Sequence, residues 1–429
     1  MRICVVALGK IGLPLAVQFA SKGHRVIGAD VNPRVVEAVN GGVEPFPGEH
    51  RLDELLKTVV ADGSLTATTD TAAAVAEADA VVIVVPLFVD SQGVPDFGWM
   101  DAATQAVAKG LKPGTLVSYE TTLPVGTTRE RWAPMLEAGS GLTAGEDFHL
   151  VFSPERVLTG RVFADLRRYP KLVGGIDAAS AAAGVAFYEA VLDFDERDDL
   201  PQPNGVWDLG SSEASEMAKL AETTYRDVNI GLANQFARFA DKQGLDVLKV
   251  IEACNSQPYS HIHRPGIAVG GHCIPIYPQM YLWNDPEATV VRAAREANAA
   301  MPSYAADVLQ AAYGDLAGAN VLVLGAAYRG GVKETAFSGV YPLVESLKAK
   351  GANAFVSDPM YTEAEIEEEG LTPHRGETVT AAVVQADHDE YRSLSPADLP
   401  EVRVLLDGRR ITDPAAWDGR RHIVLGGAA

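Results

Sequence analysis

The sequence predicts an α/β fold in which two parallel-sheet domains are joined by a helical linker domain with one long central helix. Two observations predict it. Apolar, β-branched runs alternate with helical patterns towards both ends of the chain, and one continuous helical pattern lies between them. Apolar strands that alternate with helices are typical of a parallel sheet covered on both faces. The 429 residues suffice for two or three domains.

The first domain is predicted over residues 1–195. It opens with the strand RICVVAL, the helix GLPLAVQFASKG and the strand HRVIGAD, and its later strands are ADAVVIVVP, TLVSYET and FHLVFSP. VVALGKIGLPLA places glycines between the first strand and the first helix, and Asp30 ends the next strand about 20 residues later. This is the context of a Rossmann dinucleotide site, in which the backbone approaches a pyrophosphate at the helix N-terminus.

NAD is the cofactor expected at this turn. A carboxylate at the end of the second strand accepts hydrogen bonds from ribose hydroxyls and repels a 2′-phosphate, so Asp30 favours NAD over NADP. Ala7 replaces the first glycine of the fingerprint, so a tight turn without a ligand stays the alternative. The residues assigned to the cofactor at this turn are Gly9, Lys10, Ile11, Gly12 and Asp30.

The central domain is predicted over residues 196–300 and is dominated by one helix, residues 211–244. Ser211 or Ser212 can cap its start and Gly244 can end it. A helix of about 30 residues is about 45 Å long, so it is expected to bridge two domains and to form the seam of a homodimer. Apolar side chains recur at helical spacing in Met217, Leu220, Val228, Leu232, Phe236 and Phe239.

The third domain is predicted over residues 301–429, where strands and helices alternate again. NVLVLGAAY, ANAFVSDP, VRVLLDG and RHIVLG are its strands, and YPLVESLKAKG is a helix. Its strand–glycine–helix–strand order, ending in Asp358, weakly repeats the order that ends in Asp30. The echo indicates a second Rossmann-like domain rather than a short-period repeat.

Charge and composition exclude several classes of protein. The net charge of −21 repels nucleic acid and anionic membranes, so neither is an expected partner, and an anionic substrate would need a few placed arginines. No apolar run reaches about 20 residues, and the first strand leaves no room for a signal peptide, so a cytoplasmic location is expected. The acidic run EAEIEEEG is expected to be a solvated helix face.

The three cysteines are too scattered for a disulfide framework or a metal site. Cys4 lies inside the first strand and is expected in the core, and Cys254 at a helix end is expected to be structural. Cys273 lies in RPGIAVGGHCIPIYP, where two glycines precede it and allow a ligand to approach the backbone. The residues alone leave Cys273 open between a buried structural cysteine and a nucleophile.

An NAD site and an activated cysteine together suggest a four-electron oxidation. A primary alcohol loses hydride to give an aldehyde, which a thiolate traps as a thiohemiacetal; a second hydride loss gives a thioester, and water releases the carboxylate. Negative charge develops on the reacting oxygen in both oxidations, so a nearby cation would help. Lys219 on the long helix is a candidate for this cation, with a solvated lysine as the alternative.

These segments resemble the UDP-glucose/GDP-mannose dehydrogenase family. ALGKIGLPLA, ETTLPVGTT, SPERV, EMAKLAETTYRDVNIGLAN, VGGHCIP, LGAAYRGGVKE and LDGRR occur in the order that the family has them and cover nearly the whole chain. The resemblance implies an N-terminal NAD-binding domain, a helical linker with a dimer helix, and a C-terminal domain that binds the nucleotide sugar. RDVNI, PERV and GHCIP look most like the branch that acts on UDP-N-acetylmannosamine or UDP-N-acetylglucosamine.

The resemblance also implies roles for individual residues. The nucleophile falls on Cys273, the oxyanion-stabilising lysine on Lys219, and the residue for acid–base work and thioester hydrolysis on Glu155. Thr122 matches the threonine that positions the water or hydroxyl, and Thr122 and Pro86 complete the cofactor contacts. The residues implied for the UDP-sugar are Arg156, Lys219, Arg264, Gly270, Arg329 and Arg409.

Three positions depart from the family pattern. Tyr277 stands where an aspartate is usual, and a phenol with a pKa near 10 is a poor base, so the expected substitute is Glu155. Thr223 stands where asparagine is usual and, four residues after Lys219 on a helix, can present a catalytic hydroxyl on the same face. Ala336 stands where an arginine that contacts NAD is common.

The leading hypothesis is an NAD-dependent 6-dehydrogenase that converts a UDP-N-acetylhexosamine into its uronic acid. UDP-glucose or GDP-mannose as substrate is the related alternative. A two-electron enzyme that stops at the aldehyde is kept open by Tyr277, and a sensor that binds nucleotide sugars without turnover is the third alternative.

Overall fold

The computed structural model describes residues 1–90 and 92–427, and the chain divides into two compact units, Met1–Ala221 and Glu222–Ala429. Within the described residues, none of the helices is both long and apolar enough to cross a bilayer. Each unit is built around its own parallel sheet.

The first unit alternates strands and helices from its start. Its strands are β1 (Arg2–Val6), β2 (Arg25–Ala29), β3 (Leu65–Thr68), β4 (Ala80–Ile83), β5 (Phe88–Val89), β6 (Pro95–Asp96), β7 (Leu116–Tyr119), β8 (His149–Phe152), β9 (Lys171–Gly175) and β10 (Val206–Asp208). Its helices are α1 (Gly12–Ser21), α2 (Pro33–Asn40), α3 (Leu52–Ala61), α4 (Thr71–Glu77), α5 (Gly98–Gly110), α6 (Ala133–Ser140), α7 (Val162–Arg168) and α8 (Ala178–Val191), with a π-helical turn at Thr127–Trp132.

The main sheet of this unit has the strand order β10-β9-β8-β7-β4-β1-β2-β3 among the described residues. Its pairs are parallel except β8 with β9. The order 3-2-1-4 at one end is that of a doubly wound dinucleotide fold, which binds ligands at the carboxyl ends of the strands where the order reverses. That point lies between β1 and β4, so the glycine turn after β1 is correctly placed for a ligand.

Apolar side chains from both sides of β1 and from the helices form the core of the first unit. The strands β4 and β7 are buried along their full length, as central strands of a two-sided sheet must be. Phe19 of α1 and Phe187 of α8 meet edge to face at 5.7 Å between ring centroids. This contact packs α8 against α1, whose first residue, Gly12, is the last glycine of the turn after β1.

The long helix α9 spans Ser212–Gln243, so its predicted bounds are confirmed to within a residue. The Ser211 hydroxyl accepts a hydrogen bond from the Ala214 amide at 3.1 Å, which caps the start. Gly244 follows the last turn with a φ of +65°, the left-handed conformation that ends helices. The helix begins in the first unit and ends in the second.

The second unit contains helices followed by a smaller α/β layer. Its helices after α9 are α10 (Val247–Asn255), α11 (Tyr277–Asn284), α12 (Thr289–Ala299), α13 (Met301–Tyr313), α14 (Val340–Ala349) and α15 (Glu363–Glu368), with 3₁₀ turns at Asp389–Ser393 and Pro414–Trp417. Its strands are β11 (Asn320–Leu324), β12 (Asn353–Ser357), β13 (Ala381–Val384), β14 (Val404–Asp407) and β15 (Arg421–Val424).

The sheet of the second unit has the parallel order β12-β11-β13-β14-β15 in the part of the chain that the structure describes. This is the 2-1-3-4-5 order of a flavodoxin-like sheet, whose ligand site lies between the first and third strands. Alternate residues of β11 face opposite sides: Val321 and Val323 join one apolar cluster, Leu322 and Leu324 the other. The predicted fold class, two Rossmann-like parallel-sheet units with a long central helix, is therefore confirmed.

Candidate active site

The turn after β1 has the geometry that a dinucleotide site needs. A Cβ at Gly12 would lie 1.9 Å from the Ala7 carbonyl oxygen, so α1 can approach β1 only with glycine there. A Cβ at Gly9 would meet nothing within 4 Å, so Gly9 faces open space beyond the turn, where a pyrophosphate can approach the backbone. The residues of this turn therefore fit NAD.

Asp30 ends β2 beside the same turn and holds it in place. Its carboxylate accepts hydrogen bonds from the Leu8 amide and the Asn32 amide, both at 2.8 Å. The carboxylate is only half-buried, so lone pairs that point outward can still accept from a ribose. Pro86 is exposed just after β4, on the other side of the point where the strand order reverses.

The loop that carries Thr122 follows β7 and is held by two contacts. Thr121 donates from its hydroxyl to the Val85 carbonyl at 2.7 Å, which ties the loop to the end of β4. Glu216 of α9 accepts from the Gly126 amide at 2.6 Å, the Thr128 amide at 2.9 Å and the Thr128 hydroxyl at 2.6 Å. Thr122 itself is buried.

Glu155 lies in the loop after β8, within electrostatic reach of Lys219. Burial raises the pKa of Glu155 to about 7, although Lys219, the Val157 amide and Lys171 act to lower it. The Val157 amide donates a hydrogen bond to the Glu155 carboxylate. A carboxyl group that titrates near neutral pH is suited to accept or donate a proton during turnover. The structure thus brings Glu155 and Lys219 together in the first unit.

Lys219 and Thr223 lie four residues apart on α9, and both are buried. Residues at this spacing lie on the same helix face. A buried ammonium group is better able to stabilise a developing oxyanion than a solvated one, because less water screens its charge. Arg156, next to Glu155, donates to the Pro170 carbonyl at 3.1 Å.

Cys273 lies in the second unit, on the turn that leads into α11. Its carbonyl accepts hydrogen bonds from the Tyr277 amide at 2.9 Å and the Ile276 amide at 3.2 Å, and its side chain is exposed. The alternative of a buried structural cysteine is thereby wrong. Cys4, by contrast, is in the core of the first unit, where burial raises the pKa of its thiol to about 12.

The glycines before Cys273 admit another segment of the same unit. A Cβ at Gly270 would lie 2.6 Å from the Tyr328 Cβ and 2.9 Å from the Phe337 carbonyl oxygen. Gly271 has a φ of +89°, and its amide donates to the Ala336 carbonyl at 2.9 Å. The close approach that the glycines permit is thus made by the loop after β11, which holds the cysteine turn in place.

Arg409 and Arg329 lie at the carboxyl edge of the second sheet. Arg409, after β14, donates to the Gln385 carbonyl at 2.5 Å and the Tyr328 carbonyl at 3.2 Å. Burial lowers the pKa of Arg409, and Asp387 opposes that change. Arg329, after β11, donates to the Tyr328 hydroxyl at 3.2 Å. This is the edge at which the strand order predicts a ligand.

Arg264 is exposed, in the segment before the cysteine turn. The adjoining Gly266 is close to Arg409, because a Cβ there would lie 3.1 Å from a guanidinium nitrogen. The structure thus brings three segments of the second unit together, which carry Arg264, Arg409 and Arg329.

Asp358 occupies the position in the second sheet that Asp30 occupies in the first, but the partners of its carboxylate differ. It ends β12 as Asp30 ends β2, but it is buried and accepts from the Ala326 and Ala327 amides at 2.8 and 3.1 Å and from His388 at 3.0 Å. Its carboxylate is therefore occupied by its own loop. It differs in this respect from Asp30, whose carboxylate is only half-buried.

Sequence reasoning missed three charged residues that organise the first unit, namely Glu120, Lys171 and Glu216. Each is buried, and Lys171 lies 2.6 Å from Glu120 between the ammonium nitrogen and a carboxylate oxygen. A signal was present for both Glu120 and Lys171, because Glu120 directly follows the buried strand β7, in SYET, and Lys171 is the first residue of the buried strand β9, KLVGG. Their pairing could not be seen, since 51 residues separate them.

Comparison with known proteins gives three matches to family models. Residues 1–192 match the NAD binding domain of the UDP-glucose/GDP-mannose dehydrogenase family, residues 213–300 its central domain, and residues 322–414 its UDP binding domain. UDP-N-acetyl-D-mannosamine dehydrogenase of Pyrococcus horikoshii is 35% identical over 421 residues, which are 96% of each chain.

Two solved structures resemble the chain over nearly its whole length. The UDP-D-ManNAc dehydrogenase from Pyrococcus horikoshii has a TM-score of 0.87 at 32% identity and covers 99% of each chain. A UDP-glucose dehydrogenase from the archaeon Pyrobaculum islandicum has a TM-score of 0.86 at 26% identity, and covers 100% of this chain and 98% of the other.

The fold and the dinucleotide turn, with these matches, define an NAD-dependent oxidoreductase. The chain belongs to the UDP-glucose/GDP-mannose dehydrogenase family. It is a nucleotide-sugar dehydrogenase, and its UDP binding domain indicates a UDP-sugar as substrate.

Proposed function

We propose that the protein oxidises the C6 hydroxyl of a UDP-N-acetylhexosamine to the carboxylate, with UDP-N-acetylmannosamine as the first candidate and UDP-N-acetylglucosamine as the second. The observation that carries the chemistry is Glu155, a carboxyl group with a pKa of about 7 beside Lys219 in the NAD-binding unit. The choice of sugar is supported by the 35% identity to an N-acetylmannosamine enzyme.

When bound, NAD would serve as the hydride acceptor in each of the two oxidations. In the first, Glu155 accepts the hydroxyl proton and later passes it to solvent, the Lys219 ammonium stabilises the alkoxide that this leaves on the sugar, and Thr122 positions the hydroxyl group. The Cys273 thiolate then adds to the aldehyde carbon, which forms a C–S bond and puts negative charge on the oxygen. Loss of the second hydride from this thiohemiacetal leaves a thioester on Cys273.

Hydrolysis of the thioester ends the cycle. Glu155 takes a proton from the attacking water, the C–S bond breaks, and Cys273 leaves as the thiolate, so that one water is consumed for each carboxylate formed. Tyr277 occupies the position from which an aspartate would act in other members of the family. We assign the role of base to Glu155 for this reason, with Thr223 beside Lys219 as a further hydroxyl.

The substrate residues are proposed on the same basis. Arg329 at the edge of the second sheet can offer its planar guanidinium to the diphosphate, and Arg264 is exposed in the neighbouring segment. Arg409 lies at the same edge, where its donation to the Gln385 and Tyr328 carbonyls fixes the position of its charge. Arg156, Lys219 and Gly270 complete the set proposed around the sugar. The domain bounds 1–195, 196–300 and 301–429 and a cytoplasmic location stay predictions.

We also propose a homodimer through α9. Four of the exposed apolar side chains on this helix, 38–58% exposed, are Tyr225, Leu232, Phe236 and Phe239. At about 100° per residue they fall within about 60° of one another around the helix, so they form one stripe. Such a stripe is suited to pack against its own copy.

The proposed function is tested by incubation of the protein with NAD and, separately, UDP-N-acetylmannosamine, UDP-N-acetylglucosamine, UDP-glucose and GDP-mannose, with product identified by mass spectrometry. Uronic acid from one acetamido sugar in clear preference is expected. Cys273→Ser should form no acid, because it lacks the thiol that traps the aldehyde, while Cys254→Ser, the matched control on α10, should behave as the wild type. Acid production by Cys273→Ser would overturn the covalent route.

A further inference from the structure

Glu120 and Lys171 form a buried ion pair at the carboxyl edge of the first sheet. Their side chains are 0% and 6% exposed, and the Lys171 ammonium nitrogen lies 2.6 Å from a Glu120 carboxylate oxygen. The other carboxylate oxygen accepts from the Tyr188 hydroxyl at 2.7 Å, which lies 2.7 Å from the Ser118 hydroxyl. Lys171 also lies over the Tyr188 ring, at 4.6 Å from its centroid.

This pair is joined directly to the segment that carries Glu155. The Glu155 amide donates to the Glu120 carbonyl at 3.1 Å, and the Lys171 ammonium lies 3.5 Å from the Ser153 carbonyl, two residues before Glu155. Glu120 is also two residues before Thr122. The pair therefore connects the loops after β7 and β8, each of which carries a residue of the proposed site.

Stability does not by itself explain such a pair. Removal of two charges from water is costly, and well-packed apolar residues of similar volume often serve a fold equally well or better. The ends of β7 and β8 are already joined by ladder hydrogen bonds between neighbouring strands. What an apolar replacement could not supply is a fixed pair of opposite charges next to Glu155.

We propose that the Glu120–Lys171 pair positions Glu155 and sets the balance of charge around its carboxyl group during thioester hydrolysis. The inference rests on the function proposed above, because it concerns the residue assigned as base. Glu120 and Lys171 are positioning residues in this account, since they act through Glu155. The mechanism makes no other use of them.

The charged groups around Glu155 come from three elements. Lys219 faces it from α9, Lys171 from the start of β9, and Glu120 from the end of β7; Tyr188 of α8 packs on the pair itself. Lys171 lowers the pKa of Glu155 and Glu120 raises it, so the two effects oppose each other. Loss of one partner should therefore move the pKa of Glu155 in a direction that depends on which charge is lost.

The expected signature is a pair of opposite shifts. Lys171→Met removes the cation and should raise the pKa of Glu155 by about one unit, whereas Glu120→Gln leaves the cation unopposed and should lower it. The double variant, which buries no unpaired charge, should return the pKa close to that of the wild type. Lys171→Arg keeps the charge and should do the same.

The measurement is carbon-13 NMR of the full-length protein labelled at the glutamate carboxyl carbons, titrated with pH, with the Glu155 signal assigned by its loss in Glu155→Gln. Lys22→Met breaks another ion pair of the first unit, to Asp193, and serves as the control that should leave the signal unmoved. Shifts of the two single variants in the same direction, or no shift in either, would overturn the proposal.

Kinetics distinguish this proposal from the function on which it rests. The pH dependence of acid formation should follow the NMR shifts, with kcat reduced about tenfold or more in the single variants at pH 7 and the KM for NAD unchanged. If the wild type forms no acid from any UDP-sugar, the proposed function fails, and the NMR titration still decides whether the pair sets the charge around Glu155. If the single variants lost activity equally at every pH, with an unchanged pH profile, the pair would have only a structural role, and the inference would be contradicted.

Discussion

Ala7 is the residue at which the dinucleotide turn departs from its usual glycine pattern, and the structure shows the backbone conformation that the alanine adopts there. Its φ is +74°, in the left-handed region where a Cβ is strained. The sequence match to the fingerprint was incomplete at this position, yet the backbone adopts the conformation that glycine would favour. The turn is thus formed in spite of the alanine, because Asp30 and the close contact at Gly12 hold it.

Ala7→Gly should stabilise the protein. The left-handed conformation costs an L-residue about 1–2 kcal/mol, and the extra freedom of glycine in the unfolded chain costs about 0.5–1 kcal/mol, so a net gain of about 0.5–1 kcal/mol is expected. Thermal or urea unfolding would measure it. Ala102→Gly, at an exposed position inside α5, is the control and should destabilise the protein by about 1 kcal/mol. Destabilisation by Ala7→Gly would contradict the account of the turn.

Glu216 links α9 to the Thr122 loop and titrates far from its usual range. Burial raises its pKa to about 7, although its hydrogen bonds with Thr128 and Gly126 oppose the change. A raised pKa means that the folded state binds the proton more tightly than the unfolded state does. The resulting stability, about 3 kcal/mol, is fully present below pH 4.5 and is lost as the pH rises through about 7.

The thermal midpoint of the wild type should therefore fall more steeply between pH 5 and pH 7.5 than that of Glu216→Gln, which cannot ionise. Glu213→Gln, one turn earlier on α9, is the control. Burial acts to raise the pKa of Glu213, but the Arg129 hydrogen bond outweighs it and lowers that pKa, so its stabilisation is lost only in acid. Equal slopes for the wild type and Glu216→Gln would show that Glu216 does not titrate near neutral pH.

The helix α9 does more than connect the two units. Its first turns supply Glu216 and Lys219 to the first unit, while the exposed apolar stripe lies further along the helix. One continuous helix therefore carries a loop anchor, a proposed catalytic cation and a proposed dimer surface.

Replacement of Leu232 by Glu, alone and together with Phe239→Glu, should convert the proposed dimer into monomers, because a carboxylate in an apolar seam must be desolvated. Light scattering coupled to size exclusion would report the mass. Val250→Glu is the control, since Val250 is also an exposed apolar residue, 48% exposed, but lies on α10. A wild type that is already monomeric at micromolar concentration would contradict the dimer, as would a double variant that keeps the wild-type mass.

For the whole molecule, the sequence predicted the architecture well because the signals were local. The strand RICVVAL, the glycine turn and the caps at Ser211 and Gly244 all depend on neighbouring residues, and each is found where it was expected. Buried polar partners could not be predicted in the same way. Glu120 and Lys171 are 51 positions apart, and Glu216 is about 90 positions from the Thr128 amide that donates to it. Only the fold reveals these contacts.

The candidate site likewise combines residues that the sequence could predict with contacts that it could not. Cys273, Lys219 and Glu155 were identified through motifs, but the pairing of Glu155 with Lys219 and its pKa of about 7 required the structure. The close approach of Tyr328 to Gly270 also required the structure, and the proposed contact of Gly270 with the sugar stays a prediction. Because the net charge of −21 repels an anionic substrate, we propose that the arginines at the edge of the second sheet supply the local positive charge that such a substrate needs.

The number of NADH molecules formed for each UDP-sugar consumed to completion tests the proposed covalent route. A ratio of two is predicted, because the thiol of Cys273 holds the aldehyde for a second oxidation and Glu155 releases the acid. A ratio of one, with aldehyde in solution, would contradict the covalent route and would indicate that Tyr277 marks the loss of the second half-reaction.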